Sequence, residues 1–459
     1  MLISFITCKN IALGTCYNHF YIVLLQNEIF LIQKKTMNKS LENNERECQS
    51  SSFQTKIIAA EFARPDAYGA ISMPIYRNSA FEFTDSQSIA TAFERGSKVH
   101  TYSRISNPTV ANFEEKIKRA SGAENVVALA SGMAAISNTF LAVAYAGCNI
   151  VTSPHLFGNT YSFLKSTLSD FGVDIRFVDI NNPEEVNSAI DEDTCAFFAE
   201  LVTNPHLEVI NLPEISKIVK AKSVPVIIDT TLIPWCGFDA KKAGVDIEVV
   251  STTKYVSGGA TSIGGVIIDY GVYDWKASKK LGKLPEAENL SRFMFKIRAE
   301  IARNVGACMS PDTAYQQSLG LESLQLRYER MSSTAYELAL YLSGHPKVSK
   351  VNYPKLDSSP YKSISNKMFT GNPGAMFTIN LCSKEDCFKF MDSLKIIRRA
   401  TNLFDNKTLV IHPESTIYAT FPREVKQIMG IDNNMIRFSV GLEDLADLKR
   451  DINNGLSNF

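Results

Sequence analysis

The sequence contains no CxxC motif and no cysteine spacing that is typical of a disulfide framework. Its 459 residues include nine cysteines, and the two closest together, Cys382 and Cys387, are five positions apart. This pattern indicates neither a zinc site nor a small secreted domain that is cross-linked by disulfides, so no metal is predicted. An odd number of thiols in a chain of this length is typical of a reducing compartment, and we expect a cytoplasmic protein.

The sequence also lacks an excess of charge of either sign. Lys and Arg together number 48, as do Asp and Glu, which leaves a net charge of +0. A balanced charge does not favour binding to nucleic acid or to an anionic membrane surface. Residues 20–32 are apolar but include Gln26, Asn27 and Glu28, whereas a membrane-spanning helix needs about 20 apolar residues without such interruptions. We therefore predict neither nucleic acid nor membrane as a partner.

The N-terminal part of the chain does not resemble a domain. Positive charge follows the apolar residues 20–32 instead of preceding them, which is unlike a secretory signal peptide. The polar residues 38–52 have the composition of a disordered segment. We interpret residues 1–52 as a disordered or non-native leader, with a functional start near Met37; a weakly anchored N-terminus is the alternative.

The remainder has the composition of an ordinary globular protein, with 45% hydrophobic and 21% charged residues, and its length suggests two or three domains. Residues 53–95 have several turn formers and little periodicity, which predicts an N-terminal arm. Strands alternate with helices over residues 96–310, which predicts a large α/β domain with a mostly parallel sheet flanked by helices. A long amphipathic helix after Pro311 leads into a smaller C-terminal α+β domain, residues 311–459.

A lysine stands between a short apolar strand and a glycine-rich loop in residues 248–269, which read EVVSTTKYVSGGATSIGGVIID. Lys254 follows the end of the predicted strand, and the glycines let the loop backbone approach a ligand closely. Lysine is the side chain that forms a Schiff base with an aldehyde, so the segment suggests a lysine that binds pyridoxal phosphate. On its own, the segment equally fits a solvated lysine beside an ordinary turn.

Other side chains follow predicted strands in the same way. In a parallel sheet the carboxyl ends of the strands meet at one edge, where ligands collect. We therefore expect five positions that follow predicted strands to converge: Ser131, Phe157, Asn204, Asp229 and Lys254. The helix that Ser131 and Gly132 open offers free N–H groups to a phosphate, although an N-cap serine alone also explains such a turn. The predicted convergence favours the cofactor hypothesis over an ordinary turn.

A second candidate for anion binding lies earlier in the chain. Tyr102 and Arg104 are two apart in an extended segment, so their side chains project to the same side and could bind one anion. The Asn107-Pro108 turn that follows predicts the start of a helix.

In combination, these motifs resemble the gamma-family of fold-type I pyridoxal-phosphate enzymes, the Cys/Met metabolism group. The resemblance runs from about residue 53 to the C-terminus and rests on YSRISNPT, ASGMAA, TNP, VIIDTT, STTKY and IRFSVGLE. The segment STTKYVSGGATSIGGVIID, together with TLVIHPEST, is most similar to O-acetylhomoserine sulfhydrylases. The resemblance implies a PLP-dependent transferase that carries out gamma-replacement on O-acetylhomoserine with sulfide or a thiol.

The resemblance also implies how the cofactor is bound. Lys254 would carry the cofactor and move protons, and Asp229 would pair with the protonated pyridine nitrogen, which keeps the ring an electron sink. Phe157 would stack on the ring and Asn204 would contact its phenolic oxygen. The implied phosphate ligands are Gly132, Met133, Ser251 and Thr253.

Further residues are implied to act on the substrate or across a subunit boundary. Arg437 would clamp the substrate carboxylate, and Asn402 would lie beside the substrate. Tyr102 and Arg104 would reach the phosphate bound by a neighbouring subunit. The resemblance therefore implies a homo-oligomer, usually a tetramer that is a dimer of dimers.

Four positions near the site depart from the family pattern. Phe157 stands where a tyrosine is usual, so stacking is kept but the hydroxyl is lost. Asn159 replaces the cysteine of methionine gamma-lyases, which disfavours that activity. Asn402 and Phe404 replace small residues near the substrate. Cystathionine gamma-synthase and methionine or cystathionine gamma-lyase stay as alternatives, whereas the intact set of motifs disfavours a non-catalytic relative.

Overall fold

A computed structural model describes residues 52–60, 68–93, 99–287 and 290–458. The chain divides into two compact units, Met1–Ala59 and Ala60–Phe459. The described part of the first unit contains one short helix, α1 (Phe53–Ile58). The predicted leader, residues 1–52, lies outside the described residues except for Ser52. All other described elements belong to the second unit.

A seven-stranded sheet forms the centre of the second unit. Its strands are β1 (Asn125–Leu129), β2 (Asn149–Thr152), β3 (Asp174–Phe177), β4 (Thr194–Glu200), β5 (Val226–Asp229), β6 (Ile247–Val250) and β7 (Gly265–Asp269). The spatial order is β1-β7-β6-β5-β4-β2-β3. All neighbours pair in parallel except β7, which is antiparallel to both β1 and β6. The predicted mostly parallel sheet is confirmed, and its antiparallel strand follows directly from the glycine-rich loop, which reverses the chain.

The strands read as continuous apolar segments because both faces of the sheet are covered. In β2, β6 and β7 every residue is buried, as is typical of strands with helices on both sides. The helices of this part are α2 (Ser86–Ala92), α3 (Pro108–Ser121), α4 (Gly132–Val143), α5 (Gly158–Ser162), α6 (Pro183–Ala189), α7 (Leu212–Ala221), α8 (Arg292–Lys296) and α9 (Ala302–Val305). A π-helical segment, Phe163–Leu168, continues α5, and another, Ile297–Ile301, joins α8 to α9.

The predicted helix start at Asn107-Pro108 is confirmed. The Asn107 side chain accepts hydrogen bonds from the N–H groups of Thr109 and Val110, at 3.0 and 3.4 Å. Pro108 occupies the first helical position, where its missing N–H has no consequence. Gly122 ends α3 in the left-handed conformation, with φ of 69°.

A smaller sheet follows in the C-terminal part. Its strands are β8 (Lys350–Asn352), β9 (Met376–Asn380), β10 (Arg398–Arg399), β11 (Leu409–Ile411) and β12 (Met435–Ser439), in the order β10-β11-β12-β9-β8. The sheet is antiparallel apart from the β10–β11 pair. The accompanying helices are α10 (Pro311–Glu322), α11 (Leu324–Ser343), α12 (Lys362–Met368), α13 (Lys384–Ser393), α14 (Arg423–Ile428) and α15 (Leu445–Ser457). The predicted α+β composition is confirmed, although β8 precedes the strand that was expected to open this part.

Residues 311–342, predicted to contain a long amphipathic helix, form two helices, α10 and the 20-residue α11. The carbonyl of Gly320, near the end of α10, accepts a hydrogen bond from the Arg327 guanidinium at 2.6 Å. The same guanidinium donates to the carbonyl of Tyr255 at 2.7 Å, so the break in the helix lies beside the turn that follows Lys254. Among the described residues no helix is long and apolar enough to cross a lipid bilayer.

Candidate active site

A cavity of about 850 Å³ lies at the carboxyl edge of the large sheet. Residues that follow β2, β4, β5 and β6 line it, together with the N-terminus of α4 and residues from the smaller sheet. The predicted convergence of strand ends therefore occurs. All of the predicted site residues except Tyr102 and Arg104 line this cavity: Gly132, Met133, Phe157, Asn204, Asp229, Ser251, Thr253, Lys254, Asn402 and Arg437.

Lys254 follows β6 and precedes a short 3-10 helix, Tyr255–Ser257. Its Nζ donates a hydrogen bond to Oδ1 of Asn402 at 2.8 Å. Burial lowers the pKa of Lys254 from its ordinary value to about 8, and the positive charge of Arg437 acts in the same direction, while Asp229 opposes it. A substantial fraction of the amine is therefore neutral near physiological pH, as a nucleophile and base requires.

Asp229 is the last residue of β5, and its carboxylate faces the same cavity. Its Oδ1 accepts a hydrogen bond from the N–H of Thr231 at 2.8 Å. Burial raises the pKa of Asp229, whereas the bonds from Thr231 and the charge of Lys254 act to lower it. A buried carboxylate is stable when a cation lies beside it, and a protonated pyridine nitrogen would be such a cation.

The N-terminus of α4 meets the end of β6 closely. Ser131 caps the helix by accepting a hydrogen bond from the N–H of Ala134 at 3.0 Å. A Cβ added to Gly132 would lie 2.6 Å from Cβ of Ser251, so the contact requires glycine. The first N–H groups of a helix have no intrahelical acceptor and favour an anion. A phosphate group therefore fits between Gly132, Met133 and Ser251.

Thr253 fastens the glycine-rich loop to the end of β6. Its hydroxyl donates to the carbonyl of Gly264 at 3.2 Å and accepts from the Gly264 N–H at 3.0 Å. Its role as a phosphate ligand stays a prediction.

Arg437, on β12, is 2% exposed, although its guanidinium has no carboxylate partner among the described residues. Nη1 donates to Oδ1 of Asn204 at 3.0 Å, and Nη2 lies 3.3 Å from the carbonyl of Thr401. Nε has no hydrogen-bond partner within the part of the chain that the structure describes. Burial lowers the pKa of Arg437 to about 10. A buried guanidinium with unused N–H groups in a cavity is suited to binding a carboxylate.

Asn204 is held from two sides. Its side-chain oxygen accepts the hydrogen bond from Arg437, and its carbonyl accepts one from the Tyr418 hydroxyl at 2.9 Å. Since Oδ1 is used by Arg437, the side-chain NH₂ is the group left to contact an oxygen of a ligand. The contact of Asn204 with a phenolic oxygen stays a prediction.

Tyr102 and Arg104 do not line the cavity of their own chain. The Arg104 guanidinium lies 5.4 Å from the centroid of the Tyr102 ring, and its Nη1 donates to the carbonyl of Arg303 at 2.5 Å. The Tyr102 side chain is 43% exposed. Within one chain these two residues therefore form a separate surface feature.

Sequence reasoning missed two residues at the site, Glu200 and Tyr418. Glu200 ends β4 and is 5% exposed, and its Oε1 accepts a hydrogen bond from the N–H of Phe157 at 2.5 Å. A carboxylate at the end of the apolar strand CAFFAE, in the strand next to Asp229, was the signal that could have revealed it. Tyr418 lies in an irregular segment, and no motif marks it.

The mostly parallel sheet, the buried lysine and carboxylate at its edge and the helix N-terminus opposite them define a pyridoxal phosphate-dependent enzyme of fold type I. The chain belongs to the Cys/Met metabolism PLP-dependent enzymes, since the sequence model of that family matches residues 54–457. The predicted family, fold class and cofactor are thereby confirmed.

Individual relatives agree with this assignment. The chain is 32% identical to an O-acetyl-L-homoserine sulfhydrylase of Corynebacterium glutamicum, over 88% of this chain and 97% of the relative. A crystal structure of a putative O-acetylhomoserine (thiol)-lyase from Campylobacter jejuni, with N'-pyridoxyl-lysine-5'-monophosphate, has a TM-score of 0.85 at 29% identity, and covers 89% of this chain and 100% of that one. An O-acetylhomoserine sulfhydrylase of Wolinella succinogenes is 43% identical with a TM-score of 0.69, over 77% of this chain and 99% of that one.

Proposed function

We propose that this enzyme catalyses gamma-replacement on O-acetylhomoserine, with sulfide or another thiol as the nucleophile. The observation that carries the proposal is the buried Arg437 guanidinium, which has no carboxylate partner among the described residues and shares one cavity with the Lys254 amine. An amino-acid substrate has a carboxylate that the Arg437 guanidinium can bind and an acidic α-proton that the Lys254 amine can remove. The similar proteins from Corynebacterium glutamicum and Wolinella succinogenes bear the name of this activity.

The overall reaction is balanced without an oxidant or reductant. The bond between Cγ and the ester oxygen breaks and acetate leaves, while a bond forms between Cγ and the sulfur of sulfide. The proton that sulfide loses goes to the solvent or to acetate, and homocysteine is released. A thiol in place of sulfide gives the corresponding thioether.

The residues of the cavity would have different roles in the reaction. Arg437 would bind the substrate carboxylate through two N–H groups, which fixes the Cα–H bond relative to Lys254. Burial lowers the pKa of the Lys254 amine to about 8. In its neutral form Lys254 would remove the α-proton and return it later. Bound pyridoxal phosphate supplies an electron sink that stabilises negative charge at the substrate carbons. Asp229 would keep the ring nitrogen protonated.

The alternatives predict different substrates. A cystathionine gamma-synthase would use cysteine as the thiol, and a lyase would release a keto acid and ammonia from methionine or cystathionine. Asn159 and Phe157, which line the cavity, disfavour the lyases, since the family's cysteine and tyrosine are absent there. A non-catalytic relative would not need the buried Lys254 amine.

The test is an assay of the purified holoenzyme with O-acetylhomoserine plus sulfide, the same ester plus cysteine, and methionine alone. We expect homocysteine from the first mixture as the fastest product. Keto acid and ammonia from methionine at a comparable rate would overturn the proposal in favour of a lyase. O-succinyl and O-phosphoryl homoserine in parallel assays test the acetyl preference.

The assignment of Lys254 has a test of its own. Lys254→Ala should abolish both turnover and the visible absorbance band of the bound cofactor. Lys116→Ala is the matched control, because Lys116 is also buried but forms an ion pair with Glu322 at 2.6 Å outside the cavity. A visible band and full activity in Lys254→Ala would show that another residue holds the cofactor.

We further propose a cytoplasmic homo-oligomer in which Tyr102 and Arg104 complete the phosphate site of a neighbouring subunit. Exposed apolar side chains precede these two residues in the sequence, with Tyr68 97%, Ile71 98% and Phe93 62% exposed. A second copy of the chain would bury such a surface.

Mixed subunits test the shared site. Subunits of Lys254→Ala and of Arg104→Ala are each expected to be nearly inactive, but a hybrid dimer would contain one intact site. Random reassociation of equal amounts should therefore restore about a quarter of the wild-type activity, as expected for two-fold symmetry. If the mixture is no more active than its components, the two residues serve no neighbouring site.

A further inference from the structure

Glu200 connects two parts of the cavity that lie far apart in the sequence. Its Oε1 accepts a hydrogen bond of 2.5 Å from the N–H of Phe157, which follows β2, whereas Glu200 itself ends β4. This buried carboxyl thus fixes the backbone of the residue expected to stack on the cofactor ring.

Glu200 is also the neighbour of Asp229. The two residues are direct partners in the parallel β4–β5 pair, so their side chains point to the same face of the sheet, and both line the cavity. Two buried carboxyl groups this close repel each other when both are ionised. One proton shared by the pair removes that repulsion.

The surroundings decide which member of the pair carries the proton. Asp229 accepts the Thr231 N–H and is stabilised in its ionised form by the Lys254 charge. Glu200 accepts one backbone hydrogen bond, from the Phe157 N–H, and burial together with the Asp229 charge raises its pKa well above the usual value. The other ionisable groups nearby are Tyr418, whose pKa Glu200 raises, Arg437, and Glu248, whose pKa Asp229 raises.

We propose that Glu200 is a positioning residue of this active site: it anchors the backbone of Phe157 and holds the proton of the carboxyl pair, so that Asp229 holds the charge. The inference rests on the proposed function, in which Phe157 stacks on the cofactor ring and Asp229 pairs with the ring nitrogen. A neutral Glu200 keeps a carbonyl oxygen as acceptor for the Phe157 N–H. The negative charge of the pair then lies on Asp229 alone, where it can pair with the protonated ring nitrogen.

Two substitutions, measured in the holoenzyme, distinguish the role of Glu200 as a hydrogen-bond acceptor for the Phe157 backbone from an effect of its charge. Glu200→Gln keeps an acceptor oxygen and is always neutral, so it should reproduce the wild-type cofactor band, the pH midpoint of that band and the affinity for pyridoxal phosphate. Glu200→Ala leaves the Phe157 N–H without its acceptor. Cofactor affinity should then fall about tenfold or more, and the band should move because Phe157 is no longer fixed.

Asp269→Asn is the matched control. Asp269 is a buried carboxyl whose pKa burial raises to about 6, but it lies at the far end of β7, where it pairs with Asn125 and the start of β6. This substitution should lower the unfolding temperature and leave the cofactor band unchanged. An equal change of the band in Asp269→Asn and Glu200→Ala would mean that Glu200 has no specific role.

Further outcomes overturn the proposal. If Glu200 were ionised in the wild type, Glu200→Gln would remove a negative charge near Lys254 and shift the pH midpoint of the band downward. If Glu200→Gln behaved like Glu200→Ala, or if Glu200→Ala behaved like the wild type, the anchoring role would be wrong. Retention of the band in Lys254→Ala would instead overturn the placement of the cofactor, so the two failures are distinguishable.

Discussion

Nζ of Lys254 donates a hydrogen bond of 2.8 Å to Oδ1 of Asn402, a residue 148 positions further along the chain. Lys254 follows β6 of the large sheet, whereas Asn402 lies between β10 and β11 of the smaller sheet. The contact holds the amine in one orientation over the cavity. The smaller sheet therefore contributes to the position of the reactive group as well as to substrate binding.

Asn402→Ala should lower kcat more than it raises KM. The substitution leaves the amine without its acceptor, and the loss of one hydrogen bond to such a group corresponds to about a tenfold decrease. Steady-state kinetics with O-acetylhomoserine and sulfide measure it. An unchanged kcat would mean that Asn402 does not orient Lys254.

The pH dependence of cofactor binding follows from the Lys254 amine. The neutral amine is the form that attacks the aldehyde, so the rate at which the apoenzyme captures pyridoxal phosphate should rise with pH through about 8. Asn402→Asp would place a negative charge beside the ammonium, favour the charged form and move the midpoint upward. Stopped-flow absorbance over a pH series measures both midpoints. A wild-type midpoint near the ordinary lysine value would contradict the buried environment.

Gly132→Ala should weaken cofactor binding. The added Cβ would lie 2.6 Å from Cβ of Ser251, so the end of α4 must move away from β6 and its N–H groups leave the phosphate. We expect the dissociation constant of pyridoxal phosphate to rise about tenfold or more, as for the loss of a charge-assisted hydrogen bond. Gly147→Ala controls for glycine replacement outside the site, since nothing lies within 4 Å of its added Cβ, although its φ of 88° makes alanine strained there.

Phe404 combines a buried ring with an unusual backbone. Its φ is 56°, and its ring stacks on Tyr255, the residue after Lys254, at a centroid distance of 3.9 Å. Phe404→Ala should lower the free energy of unfolding by about 3–5 kcal/mol. Phe404→Gly removes the same ring but relieves the left-handed backbone, so it should be about 1 kcal/mol more stable than Phe404→Ala. Urea unfolding of the two variants at the same protein concentration measures their relative stability. If Phe404→Gly is less stable than Phe404→Ala, the prediction is wrong.

The sequence predicted those parts of the site that depend on local pattern. Apolar strands followed by polar residues indicated where Asp229 and Lys254 would lie, because parallel strands end at one edge. The Glu200 anchor and the Lys254–Asn402 bond were not predictable in this way. Both depend on side chains that meet across different strands or different sheets, and no periodicity encodes such contacts. The antiparallel direction of β7 was likewise hidden, because its apolar residues read like those of a parallel strand.

Arg437→Lys tests the substrate carboxylate site. Arg437 lies between Asn204 Oδ1 at 3.0 Å and the Thr401 carbonyl at 3.3 Å, which fixes the plane of the guanidinium. A lysine keeps the charge but cannot offer two parallel N–H groups, and its shorter reach leaves the Asn204 oxygen without a donor.

We expect KM for O-acetylhomoserine to rise about 10- to 100-fold, as for the loss of a hydrogen bond between charged groups, with the visible cofactor band unchanged. Arg327→Lys is the matched control, because Arg327 is also buried but bonds to the protein itself, at the Tyr255 and Gly320 carbonyls and the Ser323 hydroxyl. That variant should lose stability without a selective change of KM. If Arg437→Lys instead loses its cofactor band at unchanged KM, Arg437 supports the cofactor through Asn204 and the carboxylate binds elsewhere in the cavity.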